Sequence, residues 1–215
     1  MIISPQRRYV FVHIPKTGGT AMALALEARA ARDDILVGDT PKARARRGRL
    51  NRVQVPGRLW KHSTLADIDG LADLSAMFIF TLVRNPWDRL VSYYHWLRHQ
   101  NFDHVAVTRA KALDFSGFLN HPGTISSLQS APYASYVTDP GGVMRATLFI
   151  RLEHLATDMA PLTAYLGFAP VLSVANQSDR GRDWRPYYSE PDAATVARIC
   201  AADIATFAYG FDPGR

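Results

Sequence analysis

The sequence predicts an α/β fold with a mainly parallel central sheet flanked by helices, and three observations carry that expectation. Short buried strands alternate with helical stretches along the chain. The two clearest strands each run into a turn marked by glycine or proline and then into a helix. No internal repeat and no linker divides the 215 residues, so one domain spanning 1–215 is expected.

The elements follow in order. Arg8 to Ile14 (RYVFVHI) is rich in β-branched and aromatic residues and is the first predicted strand. Beyond Gly18 and Gly19, Thr20 to Arg32 (TAMALALEARAAR) combines strong helix formers with apolar 3-4 spacing. A short strand is expected over Arg58 to His62, and a fully buried one over Ala76 to Val83 (AMFIFTLV). Pro86 suits the first turn of the next helix, where its missing N–H has no partner to lose. That helix runs from Trp87 to about Gln100, with Leu90, Tyr94 and Leu97 on one stripe. Asp114 to His121 is a short helix, Ala146 to Arg151 (ATLFIR) a further strand, and Glu153 to Gly167 a helix closed by its glycine. Ser189-Glu190-Pro191-Asp192 resembles a capping box and opens one long helix through about Ala208.

Composition narrows the class. With 47% hydrophobic and 20% charged residues the chain has the make-up of a soluble globular protein and not of a disordered one. No apolar run reaches membrane-spanning length. The N-terminus enters a core strand without a signal-peptide pattern, so a cytoplasmic protein is expected. The single cysteine, Cys200, has no internal disulfide partner and falls among apolar residues, which suits core packing. The net charge of +6 favours an anionic partner. That charge is concentrated: residues 40–60 read as a basic insertion, and Lys42, Arg44, Arg46, Arg47, Arg49, Arg52, Arg58 and Lys61 all lie between Asp39 and Asp67 with no acid among them. The segment is either a solvated, mobile loop or a basic surface facing an acidic acceptor. No helix-turn-helix, finger or ribonucleoprotein motif accompanies it, so nucleic acid is not the expected partner.

Two stretches carry chemistry. In His13-Ile14-Pro15-Lys16-Thr17-Gly18-Gly19-Thr20 the glycines let backbone N–H groups converge on an anion at a helix N-terminus. Lys16 adds a charge, and Thr17 and Thr20 add hydroxyl donors. The lysine precedes the glycines, unlike a Walker A loop. In Arg84-Asn85-Pro86-Trp87-Asp88-Arg89-Leu90-Val91-Ser92 Arg84 offers a guanidinium fork suited to phosphate and Ser92 a neutral donor. The plainer alternatives are a tight strand-to-helix turn, an Arg84–carboxylate pair, and a serine facing its own helix.

Taken together, the two stretches resemble the signatures of sulfotransferases that use 3′-phosphoadenosine 5′-phosphosulfate (PAPS), in the form typical of the carbohydrate (Golgi-type, family 2) branch and its bacterial relatives. Ile150-Arg151-Leu152-Glu153 with Leu155 and Asp158, and the later Asn176, Ser178, Tyr187, Tyr188, Phe207, Tyr209 and Phe211, fit the same pattern. The resemblance implies a P-loop-NTPase-like sulfotransferase fold. It implies that Lys16, Thr17, Gly18, Gly19 and Thr20 hold the 5′-phosphosulfate and that Arg84 and Ser92 hold the 3′-phosphate. The implied reaction is in-line sulfuryl transfer to a hydroxyl, or less readily an amine, of a saccharide or glycoconjugate, with Lys16 stabilising the leaving group and no metal. His62 stands where several family members place a catalytic base, and a histidine suits that task. Glu153 is the alternative base, His13 is structural, and Lys61 is either a helper or part of the basic run. A late loop closes over the nucleotide in the family, which would bring Arg182 or Arg185 to a phosphate, beside Arg180. Gln129 and Tyr133 are candidates to line the acceptor cleft.

Two other functions compete. A nucleotide-dependent small-molecule kinase would need a GK[ST] loop end and an acid after a strand, and neither is evident. A non-catalytic nucleotide- or anion-binding module sits poorly with an intact Lys16, Arg84 and Ser92. Acceptor identity and oligomeric state are not written in the sequence.

Overall fold

The computed structural model describes residues 1–173, 181 and 183–212. These gather into two compact units: residues 1–83 with 133 onward to 173, and residues 84–132 with the described residues from 181.

The first unit holds the sheet. Its strands are β1 (Ile2–Ser4), β2 (Tyr9–Val12), β3 (Ile35–Leu36), β4 (Phe78–Val83) and β5 (Leu148–Arg151), in spatial order β3-β1-β2-β4-β5. β2 pairs with β4, and β4 with β5, in parallel; β1 runs antiparallel to both β2 and β3. Four of the five strands therefore point one way, as a mainly parallel sheet requires. Alternation along the strands feeds two cores. Tyr9, Phe11, Phe80, Leu82 and Ile150 face α1 (Gly19–Glu27) through Met22, Ala23 and Leu26. Ile3, Val10, Val12 and Ile79 face Leu65, Ile68 and Val137 on the other side. Burial on both faces explains why β2 and β4 read as continuous apolar runs.

The basic stretch folds. Thr40 caps α2 (Pro41–Arg46), Pro41 occupies its first turn, and a 3-10 turn follows over Arg47–Arg52. Lys42 donates to the Glu27 carbonyl, Arg46 to the Ala31 carbonyl at 2.7 Å and Arg49 to the Arg32 carbonyl at 2.6 Å. Three of the basic side chains thus satisfy carbonyls at and beyond the C-terminus of α1, where cations are favoured. Thr40 has two tasks: its Oγ accepts from Ala43 N at 3.2 Å, and its hydroxyl reaches the carboxylate of Glu27, which is 4% exposed. Thr40→Val keeps the shape but removes a helix cap and the donor to a buried carboxylate. A loss of about 2–4 kcal/mol in urea unfolding is expected, and a loss under about 0.5 kcal/mol would show that neither bond matters.

The second unit is helical: α3 (Pro86–Arg98), α4 (Val105–Ala112), α5 (Phe115–Asn120) and α6 (Pro122–Gln129), and later α10 (Glu190–Ile199) and α11 (Ala201–Phe207). The short α7 (Tyr133–Tyr136), α8 (Leu155–Asp158) and α9 (Ala160–Leu166) belong to the first unit. Trp87, Leu90, Val91, Tyr94 and Leu97 of α3 pack with Phe115, Phe118, Val196 and Ile199. Ser189 caps α10 by accepting from Asp192 N, and the Asp192 carboxylate takes donors from Ser189, Ser116 and Asn120. Cys200 is partly buried against this core, and burial pushes its thiol up to about 11.

Four sequence expectations change. The helix expected over Thr20 to Arg32 already ends at Glu27. Arg58–His62 is a bend and turn, not a strand, because the turn's polar groups bond to one another instead of to a ladder. The helix expected over Glu153–Gly167 is broken into a 3-10 turn, α8 and α9, and ends at Gly167 with φ 73°. The single long C-terminal helix is two, broken at Cys200 (φ −109°, ψ 21°).

Candidate active site

The loop after β2 has an uncommon backbone. Lys16 has φ 66° and Gly18 φ 88°, both left-handed, and Gly19 opens α1 directly behind Gly18. A left-handed residue followed by a helical one aims successive N–H groups into one concavity. No side chain caps α1 and no acid lies in its first turn; Thr40, Asn85, His104, Asp114, His121 and Ser189 cap α2, α3, α4, α5, α6 and α10, while the short α8, α9 and α11 also begin without a side-chain cap. The start of α1 therefore presents backbone donors and a positive dipole end that no side-chain cap and no first-turn acid of the helix answers. Thr17 is fully buried, and its hydroxyl donates to the Ile14 carbonyl at 2.9 Å, so its side chain shapes the loop.

The two glycines serve different needs. Gly18 adopts a φ that side chains resist, with Leu152 3.0 Å from where its Cβ would be. Gly19 makes room: a Cβ there would lie 2.1 Å from Cδ2 of His13. The His13 ring is 7% exposed and lies edge-on to His62, with centroids 4.7 Å apart.

His62 is joined to this loop. Its Nδ1 lies 2.7 Å from the His13 carbonyl oxygen. A carbonyl only accepts, so Nδ1 carries the hydrogen and Nε2 keeps its lone pair. Burial pushes His62 down to about 4, the His13 carbonyl opposes, and Lys61 adds to the lowering. Burial, reinforced by His62, also holds His13 well below the usual range. Both rings are thus neutral near pH 7. Lys61 itself pairs with Asp39 at 2.7 Å.

In the second unit, Arg84 precedes Asn85, whose side chain caps α3 by accepting from Trp87 N. The Arg84 Nε and one Nη lie 2.7 Å from Oδ2 of Asp88, the carboxylate pairing that the sequence left open. Ser92 is 4% exposed on α3.

The remaining candidates separate. Arg151 pairs with Asp158 through Nε at 2.8 Å and Nη2 at 3.0 Å, which gives the spacing of the Ile150-to-Asp158 pattern a structural reason. Glu153 is exposed in the 3-10 turn after β5, and Gln129 is exposed at the end of α6. Tyr133 is fully buried. Arg185 is paired with Asp183 and Asp212. Asn176, Ser178, Arg180 and Arg182 lie outside the described residues. Among the described residues no group of three His, Cys, Asp or Glu could hold a metal ion, and no helix is long and apolar enough to cross a membrane. Sequence reasoning assigned Trp60 and Ser63 no role: the Trp60 ring lies 5.0 Å from that of His62, and Ser63 bonds to the Trp60 backbone.

A family model described as the Sulfotransferase family matches residues 1–204. Among solved structures, mouse sulfotransferase SULT7A1 complexed with PAP is similar at 15% identity and a TM-score of 0.48, over 94% of this chain and 85% of that chain. No curated protein matches.

Proposed function

The chain belongs to the sulfotransferase family, and from that premise we propose that it moves a sulfuryl group from PAPS to a hydroxyl of a saccharide or glycoconjugate acceptor, with 1–215 acting as one catalytic domain. The observation that carries the donor site is the start of α1: left-handed Lys16 and Gly18, an uncapped N-terminus and no acid. Those donors and the Lys16 charge suit the 5′-phosphosulfate, with Gly19 and Thr20 in the first turn of the helix. Arg84 and Ser92 would hold the 3′-phosphate, with Asp88 fixing the guanidinium in one orientation.

Chemistry then needs little beyond position and charge. The lone pair on Nε2 of His62 takes the acceptor's hydroxyl proton as that oxygen attacks sulfur. The bond from sulfur to the bridging phosphate oxygen breaks, and the bisphosphate leaves with the electron pair. Lys16 and the N–H groups at the start of α1 stabilise the negative charge that develops there. The sulfated acceptor and 3′,5′-bisphosphoadenosine (PAP) are the products.

Calorimetry with PAP and with ATP tests the donor. PAP is expected to bind without Mg²⁺ and more tightly than ATP. Arg84→Gln should weaken PAP by about 10- to 100-fold, the scale of a lost charge-assisted phosphate contact. Equal or tighter ATP binding that requires Mg²⁺ would replace the proposal with a kinase.

A further inference from the structure

Arg58, Trp60 and His62 occupy alternate positions along one loop, and their side chains touch in that order. The Arg58 guanidinium carbon lies 4.6 Å from the Trp60 ring centroid. The Trp60 ring in turn lies 5.0 Å from the His62 ring at 86°. Trp60 is nevertheless 38% exposed, and Arg58 is exposed as well. No carboxylate among the described residues pairs with Arg58, whereas Lys61 in the same turn is matched by Asp39. The turn thus displays one cation that is held in place by an aromatic face but not neutralised.

The backbone beneath this pair is tied down from inside. Ser63 is fully buried; it accepts from Trp60 N at 2.8 Å, and its hydroxyl lies within reach of the carbonyls of Arg58 (2.6 Å) and Trp60 (2.9 Å). Gly57 N donates to the Asp67 carbonyl at 3.2 Å, and the Asp67 carboxylate accepts from Thr64 N and Oγ. A platform already fixed in this way gives up little freedom when a ligand docks.

We propose that Arg58 and Trp60 recognise an acceptor sugar that carries a carboxylate. The guanidinium fork pairs with the planar carboxylate, the apolar side of the sugar ring covers the exposed part of Trp60, and a hydroxyl of the sugar faces His62. The assignment rests on the sulfotransferase reading above and adds to it the acceptor's chemical class and the residues that select it. Of the two fates the sequence left to the basic stretch, Arg58 takes the acceptor-facing one, while Lys42, Arg46 and Arg49 are occupied by backbone carbonyls.

The test uses p-nitrophenyl β-D-glucuronide and p-nitrophenyl β-D-glucoside, which differ only at C6, a carboxylate in the first and a hydroxymethyl group in the second. Calorimetry on the full chain in the presence of PAP should find the glucuronide bound about tenfold more tightly or better. Arg58→Gln should bring the ratio to about one, and Trp60→Ala should weaken both glycosides. Arg47→Gln, an exposed arginine elsewhere on the basic stretch, should keep the preference. Equal affinities, no binding of either glycoside to the wild type, a preference that survives Arg58→Gln, or an equal loss in Arg47→Gln would each overturn the proposal. PAP binding in the same samples separates the failures. Its absence rejects the donor assignment, while intact PAP binding with no preference rejects only the acceptor platform.

Discussion

His62→Gln is expected to lower turnover by about two to four orders of magnitude, the usual contribution of a positioned general base, with PAP affinity changed less than about twofold. Glutamine can still donate an amide hydrogen to the His13 carbonyl, so the link between the turn and the donor loop survives while the proton acceptor is lost. The pH dependence gives a second readout. Burial holds His62 at about 4 instead of 6.5, so the ring is already neutral well below pH 6. The acid limb of kcat/KM, which reports the free protein, should therefore fall near pH 4. The anionic donor raises the proton affinity of the ring once bound, so the limb of kcat should lie at higher pH than that of kcat/KM. Stability follows the same sign. Below pH 6.5 the unfolded chain gains a proton on His62 that the folded chain refuses until about pH 4, so stability is full above this window and is lost as pH falls through it. His13, also held down by burial, acts in the same direction. Unchanged turnover in His62→Gln, or an acid limb of kcat/KM at 6.5 or above, would remove His62 as the base.

The parts of the fold that the sequence makes legible are those where local and tertiary signals agree. β2 and β4 are buried on both faces and read as continuous apolar runs; α1 and α3 begin at glycine and proline signals and carry an apolar face. β1 and β3 escape because three and two residues are too few for a period, and they exist through pairing with each other and with β2. α2 carried an unread signal, since Thr40-Pro41 followed by alanines and arginines is a cap, a first-turn proline and helix formers. The break at Cys200 has no glycine or proline to announce it.

The site divides in the same way. The loop from Lys16 to Thr20 and the Arg84 turn are set by contiguous residues, so the sequence displays them. The environment of His62 is built from His13 and Trp60, with Gly19 leaving room for the His13 ring, and these contacts close only after β2 and the loop over 57–63 meet. For that reason Arg58 to His62 looked like a strand. Its alternation is real, but Ser63 gathers the polar backbone groups into a turn, and the edge-on contact of Trp60 with His62 takes the place of a ladder.

Gly19→Ala is expected to be more damaging than Gly18→Ala, although only Gly18 has a positive φ. At Gly18 an alanine meets the left-handed penalty of about 1–2 kcal/mol, and its Cβ would meet Leu152 Cδ1 at 3.0 Å, the far end of a side chain that can turn. At Gly19 the added carbon would fall within 2.1, 2.5 and 2.8 Å of Cδ2, Nε2 and Cγ of His13. That ring has nowhere to go: it is 7% exposed, stacked 5.9 Å from Phe11 and set edge-on to His62 at 4.7 Å. Either the ring displaces His62 or the first turn of α1 moves, and both outcomes reach the loop from Lys16 to Thr20. A stability loss of about 1–3 kcal/mol and at least about tenfold weaker PAP binding are expected. His13→Ala supplies the control, because it removes the ring but keeps the backbone carbonyl that binds His62. In the double variant Gly19→Ala/His13→Ala the added methyl has space, so the two changes should be coupled by about 1 kcal/mol or more, with PAP affinity recovering relative to Gly19→Ala alone. If the two effects simply add, the His13 ring is not what requires a glycine at the start of α1. The second glycine would then have to be explained by its backbone, which is ordinary for a helix.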